Sequence, residues 1–149
     1  MATKLEDIWT EVTNILTTAK TSGTLTYVKD ILQGVREDVP LYPIIVLEPK
    51  SESEARHTVP RFIRNTFGLS IICWIEAYKP DKQIVGEAND KGILDIVRDV
   101  KNVLNAYHDL NGKAIKFEFP TTTFGAENWP YRYGSVEMSI EYLCKDTER

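Results

Sequence analysis

The sequence is poor in the residues that usually carry chemistry. It has two cysteines and two histidines among 149 residues. Cys73 and Cys144 both fall on the apolar faces of predicted strands, where a thiol serves as a small core hydrophobe. A disulfide between them would require adjacent strands in register and an oxidising compartment. His57 and His108 stand at no metal-ligand spacing from either cysteine, which argues against a Cys/His metal site. A glycine-rich phosphate loop is absent, since Gly86 and Gly92 are isolated and no Gly-Lys-Ser/Thr occurs. Of the Gly-x-Ser-x-Gly nucleophile elbow, Gly68-x-Ser70 supplies only the first half. Acidic residues are scattered, so neither a catalytic centre nor a cofactor is expected.

Long charged and apolar runs are missing too. No five Lys or Arg residues follow one another, and the net charge is -4. That balance argues against broad attraction to a nucleic-acid backbone, although a local basic patch stays compatible with it. Arg132 between Tyr131 and Tyr133 is the single place where a base is flanked by aromatics. No apolar stretch reaches the roughly 18 residues that a membrane span needs. The opening Met-Ala-Thr-Lys-Leu-Glu lacks the apolar core of a signal peptide, so the expected location is a cytoplasm. With no repeat, low-complexity tract or linker, residues 1–149 are read as one domain.

What the chain does have is alternation. From Phe67 to Ala77 every odd position is apolar, and from Ser135 to Cys144 Val136, Met138, Ile140, Tyr142 and Cys144 share one face. Both patterns predict strands with one buried side. Helical steps occur in two places. Leu5, Ile8, Val12, Ile15, Leu16 and Ala19 follow a Thr3-x-x-Glu6 capping pattern and stop before Gly23. Ile93, Ile96, Val97, Val100, Val103, Leu104 and Tyr107 line one face of a helical stretch from Glu87 to Leu110, closed by Asn111-Gly112. Opposite that stripe, Asp95 and Asp99 are read as solvated charges rather than a working carboxylate pair. His108 is placed at the helix end, where a cation suits the dipole. Trp9 widens the first stripe, as a core residue or an interface anchor.

The rest is assigned by local signals. Leu25 to Val35 mixes helical spacing with strand residue types, so local signals leave it open between helix and strand, with a strand preferred in part for the layout of the whole chain. Ile44 to Leu47, between prolines, predicts a short buried strand, and Lys50 to Pro60 an exposed connection. If the next strand runs from Arg61 to Tyr78, it spans about 60 Å at ~3.3 Å per residue. It then either protrudes as a ribbon or is interrupted by a bulge near Gly68. Lys79 to Gly86 is expected to be a loop, Lys113 to Phe119 a strand, and Thr121 to Tyr133 a loop whose aromatics cover the sheet edge or meet a partner. The fold class that follows is α+β: a mainly antiparallel sheet of four to five strands with two helices packed on one face.

Taken together, the N-terminal helix, Val28-Lys-Asp-Ile-Leu-Gln-Gly, Tyr42-Pro-Ile-Ile-Val-Leu-Glu-Pro, the long strand, Ile93-Leu-Asp-Ile-Val-Arg-Asp-Val-Lys-Asn-Val-Leu and the Leu110-Asn-Gly turn before two closing strands resemble the tail terminator, or tail-completion, proteins of tailed bacteriophages. The resemblance covers nearly the whole chain and lies in layout rather than in an invariant motif. It implies a structural virion protein, not an enzyme, that forms a ring, usually a hexamer, on the finished tail tube. Its partners would be copies of itself, the tail tube protein and the head–tail connector protein, with DNA only passing through the channel and no membrane involved. The expected place is the tail–neck junction of the virion, after assembly in the host cytoplasm. Interface composition nominates Arg61, Phe62, Arg64, Trp129, Tyr131, Arg132 and Tyr133 as subunit contacts. Another neck or head-completion protein, a small ligand-binding or enzymatic domain, and an adaptor for a host protein are the rival readings.

Overall fold

The computed structural model describes residues 3–34, 41–56, 62–78, 80–86, 91–126 and 129–145. Three long strands form its backbone. β2 (Ile44–Arg56) pairs antiparallel with β3 (Phe62–Glu76), and β3 pairs antiparallel with β6 (Tyr131–Lys145) over all fifteen of its residues. Short strands finish the sheet. β1 (Asp30–Gln33) lies parallel to the start of β2, while β4 (Lys116–Glu118) and β5 (Thr122–Ala126) pair with successive parts of β6. The result is a six-stranded, mostly antiparallel sheet in an α+β fold.

The helices lie on one face. α1 (Lys4–Ser22) begins at Thr3, whose hydroxyl accepts from the Glu6 N–H while the Glu6 carboxylate accepts from the Thr3 N–H. The predicted capping box is therefore present, and Gly23 ends the helix. α1 and α3 (Ile93–Asn105) press Ile8, Leu16, Ile96 and Val100 onto the β3–β6 face made by Leu69, Ile71, Val136 and Ile140. Each of these side chains is essentially inaccessible to water, and each contributes about 1.5–3 kcal/mol through burial. Gly134 sets how closely α3 approaches, because a Cβ there would lie 2.8 Å from Val97 Cγ2. Cys73 and Cys144 are buried and unlinked, as core hydrophobes. Burial pushes the Cys73 thiol up to about 12.

Several expectations need correction. Lys50 to Pro60 is not simply an exposed connection, since β2 continues to Arg56 as a partner of β3. Its polar residues misled because this half of β2 is an edge. β1 covers only Ile44 to Leu47, and Ser51 to Glu54 are exposed. The long strand and the bulge both exist, but the bulge is in β2, where an extra residue falls between Pro49 and Ser51 opposite Leu69 and Gly68. It reverses the alternation of β2, so Glu52 shares a face with Phe67 and not with Gly68. Glu52 thereby meets the buried polar group of that face. It accepts from the Tyr142 hydroxyl at 2.9 Å and from Asn65 Nδ2 at 3.4 Å.

Leu25 to Val35 is a strand only at Asp30–Gln33, preceded by a turn that buries Leu25 and Val28. The loop from Lys79 contains a one-turn helix, α2 (Pro80–Ile84). The central helix is shorter than Glu87 to Leu110, because turns replace it after Asn105. His108 is exposed in those turns, and Leu110, Asn111 and Gly112 take positive φ values. The strand expected over Lys113 to Phe119 shrinks to the three residues that find β6. Thr121 to Tyr133 is not a loop throughout, since Thr122 to Ala126 is β5 and β6 already starts at Tyr131.

Asp95 and Asp99 are not merely solvated. Asp95 Oδ2 accepts from the N–H groups of Gly86 (2.9 Å) and Gly92 (3.0 Å), and Asp99 accepts from the Tyr27 hydroxyl at 2.8 Å. Partial burial works against the Asp95 charge, but those two N–H donors, with Arg98 and Lys91, hold its pKa below the usual value. Burial first, then the Asp99 bond, raises the Tyr27 pKa strongly.

Candidate functional site

The strand pairing that builds the core also separates the nominated contact residues. Phe62 opposes Lys145 at one end of the β3–β6 ladder, and Glu76 opposes Tyr131 at the other. From Arg64 to Glu76 is twelve residues, or about 40 Å along the strand. Two groups of candidates therefore lie at opposite ends of the ladder.

At the first end, Arg64 lies on the face of the sheet opposite the helices, half exposed. Its Nη2 sits 3.0 Å from both carboxylate oxygens of Glu141, and Lys116 approaches the same carboxylate at 3.4 Å. The Arg64 hydrogen bond, with the charges of Arg64 and Lys116, lowers the Glu141 pKa against the opposing effect of partial burial. Phe62 opens β3, and nothing of its side chain is described; Arg61 lies outside the described residues.

At the second end, aromatic rings gather. Trp129 is 65% exposed and meets Tyr78, 64% exposed, edge-on at 5.4 Å. Tyr131 packs against Tyr42 at 5.1 Å, and Tyr133 against Trp74 at 5.0 Å. Exposed Leu41, Ile84 and Val85 add to the apolar surface of the described residues. Arg132 belongs to the other side of β6, because neighbours in a strand point to opposite faces. Its Nε donates to Gln83 Oε1 at 3.2 Å, and Gln83 Nε2 donates to the carbonyls of Ala77 (2.6 Å) and Pro130 (3.0 Å). Arg132 thus braces α2 against the strand ends and does not join the three rings.

Next to the aromatic end, on the face away from the main core, an open cleft of about 460 Å³ is bordered by Ile72, Trp74, Thr123, Ala126, Tyr133, Ser135 and Glu137. Gly125 lets the Tyr133 ring lie flat across β5, since a Cβ there would come within 2.6 Å of that ring. Glu137 is fixed by hydroxyls. Ser70 Oγ lies 2.9 and 2.8 Å from its two oxygens, and Ser135 Oγ lies 3.2 Å from one. Glu48 stands opposite Ser70 in register, and its Oε2 is buried without a hydrogen-bond partner among the described residues. Beyond the cleft, Leu32, Ile44 and Val46 form a small second apolar cluster with Tyr42, Ile72 and Trp74, to which no described helix contributes.

Sequence reasoning found three of the rings and missed Trp74, Tyr78, Tyr42 and Glu137. The signal for Trp74 was present. Ile72 and Trp74 are apolar at positions of β3 that face away from the helices, where Thr66, Gly68 and Ser70 are not. Among the described residues no group of His, Cys, Asp and Glu is arranged to hold a metal, and no helix is long and apolar enough to cross a membrane. No protein-family model matches this chain, and no curated protein matches it significantly.

Proposed function

We propose that this chain is a structural virion protein of the tail terminator type, which caps the tail tube as a ring, ends tube growth and joins the tail to the head connector. The observation that carries the reading is the division of surfaces between the ends of one ladder: a polar end at Arg64 and an aromatic end at Trp129. A closed ring is a heterologous assembly, so each subunit needs two different faces that fit one another across copies. Aromatic rings that stay exposed on a folded monomer suit such a contact. The virion assignment and a ring of six rest on the resemblance of layout, with the tube protein and the connector as neighbours and DNA passing through the channel.

A tube-assembly reaction tests this. Purified tail tube subunits of the same phage are polymerised with and without the protein and viewed by electron microscopy. Shorter tubes with a ring at one end are expected. Tubes of unchanged length without bound protein would exclude termination, and binding to isolated connectors alone would favour a head-completion role. Among the described residues, Ile8, Leu16, Ile96 and Val100 pack between sheet and helices, where the rival ligand-binding reading would put its pocket.

A further inference from the structure

We infer that the cleft beside Glu137 receives the basic β2–β3 connection of a second copy of this chain. The inference rests on the self-assembly reading above and adds the contact that would join one subunit to the next. It begins with the chemistry of the cleft. The carboxylate of Glu137 borders the cleft at one end and the paired rings of Trp74 and Tyr133 border it at the other, with the Ile72/Ser135 row between them. Among the described residues that carboxylate accepts only from the hydroxyls of Ser70 and Ser135. Among the described residues no Lys or Arg pairs with it; Arg64 and Lys116 are engaged by Glu141, and Arg98 by Asp95 and Asp99. The face of an aromatic ring attracts a cation, and a carboxylate forms charge-assisted hydrogen bonds with one. A guanidinium does both, because it is planar and weakly hydrated. The cleft, at about 460 Å³, is larger than a single guanidinium and leaves room for the chain that carries it.

The same chain contains the complementary segment. Arg56 to Arg64 reads Arg-His-Thr-Val-Pro-Arg-Phe-Ile-Arg, with three arginines, of which Arg64 is already held by Glu141, one histidine and no acidic residue, in a protein of net charge -4. Arg56 pairs with Ile63, so the connection leaves the sheet at the end opposite the cleft. The cleft row, where Ile72 opposes Ser135, lies nine residues further along β3 than Ile63, or about 30 Å. The few residues joining Arg56 to Phe62 cannot span that distance within one molecule. Each subunit therefore offers a basic tip at one end and a cation-accepting cleft at the other. Repeated head to tail, such a contact builds a ring when the rotation between copies closes.

The experiment uses the full-length chain carrying Arg56→Glu and Arg61→Glu as receptor, since its own tips no longer compete for the cleft. A synthetic peptide of residues 55–65 is titrated onto it, and binding is followed by fluorescence anisotropy at two salt concentrations. Saturable, salt-weakened binding is expected. Adding Glu137→Gln to the receptor should weaken it about tenfold, with an unchanged melting temperature. A peptide carrying glutamate at positions 56, 61 and 64 should not bind, a control that does not depend on any variant folding. Absence of binding, equal binding of both peptides, or binding indifferent to Glu137→Gln in a folded receptor would overturn the inference. The mass of the wild-type protein separates the two claims. An assembled wild type with no Glu137-dependent peptide binding removes this contact and leaves the ring. A monomeric wild type that binds the peptide through Glu137 removes the ring and leaves the contact.

Discussion

The two faces of β3 obey different rules, although they alternate along one strand. Toward the helices stand Ile63, Asn65, Phe67, Leu69, Ile71, Cys73 and Ile75, each at most 4% exposed. Away from them stand Arg64, Thr66, Gly68, Ser70, Ile72, Trp74 and Glu76. The first set is uniform because two helices exclude water from it. Its one polar member, Asn65, keeps Tyr142, Glu52 and Cys144 within hydrogen-bonding distance. The second set mixes an ion pair, small hydroxyl residues and a tryptophan. Each kind of residue there answers to a local neighbour rather than to a common layer. Exceptions are therefore informative on both faces: a polar residue within the covered one, an indole on the open one.

That contrast predicts unequal responses to mutation. Leu69→Ala, in the middle of the covered face, should cost about 2–5 kcal/mol and lower the denaturation midpoint without changing the contacts at either end. Asp95→Ala should cost about 1 kcal/mol, because two N–H groups at the entry to α3 lose their acceptor. Its pH dependence has a definite sign. The folded-state pKa of Asp95 is lowered, so its contribution is full above the ordinary carboxyl value of 3.8 and is lost as pH falls through the folded value. Urea titrations should show a constant gap between wild type and variant near neutrality that closes in acid. Tyr142→Phe should cost about 1 kcal/mol in the same titration, since Glu52 and Asn65 lose the phenol between them. On the open face, Arg64→Ala should change stability by less than about 0.5 kcal/mol, the pair with Glu141 being half exposed and screened by salt.

The same contrast explains what could be read from residues alone. The covered face was legible because apolar spacing is a direct record of water exclusion. It gave α1, the core of β3 and β6, the apolar stripe of α3 and the α+β class. Polar strand was not legible. Ser51 to Glu54 and Thr122 to Ala126 belong to the sheet through backbone pairing, which leaves no apolar period to detect. The reversal at Pro49/Ser51 was invisible for a further reason. A bulge is recognised by its register with β3, and register is a property of two strands. Among the residues nominated as subunit contacts, Trp129, Tyr131 and Tyr133 gather at one end, whereas Arg132 turns away by the alternation that governs any strand.

Self-association through two dissimilar ends is the claim on which the functional reading stands, and particle mass tests it most directly. Sedimentation velocity over a hundredfold range of concentration should show the 17.0 kDa chain giving way to one discrete larger species, with no ladder beyond it. A single 17.0 kDa species at every concentration would contradict the account.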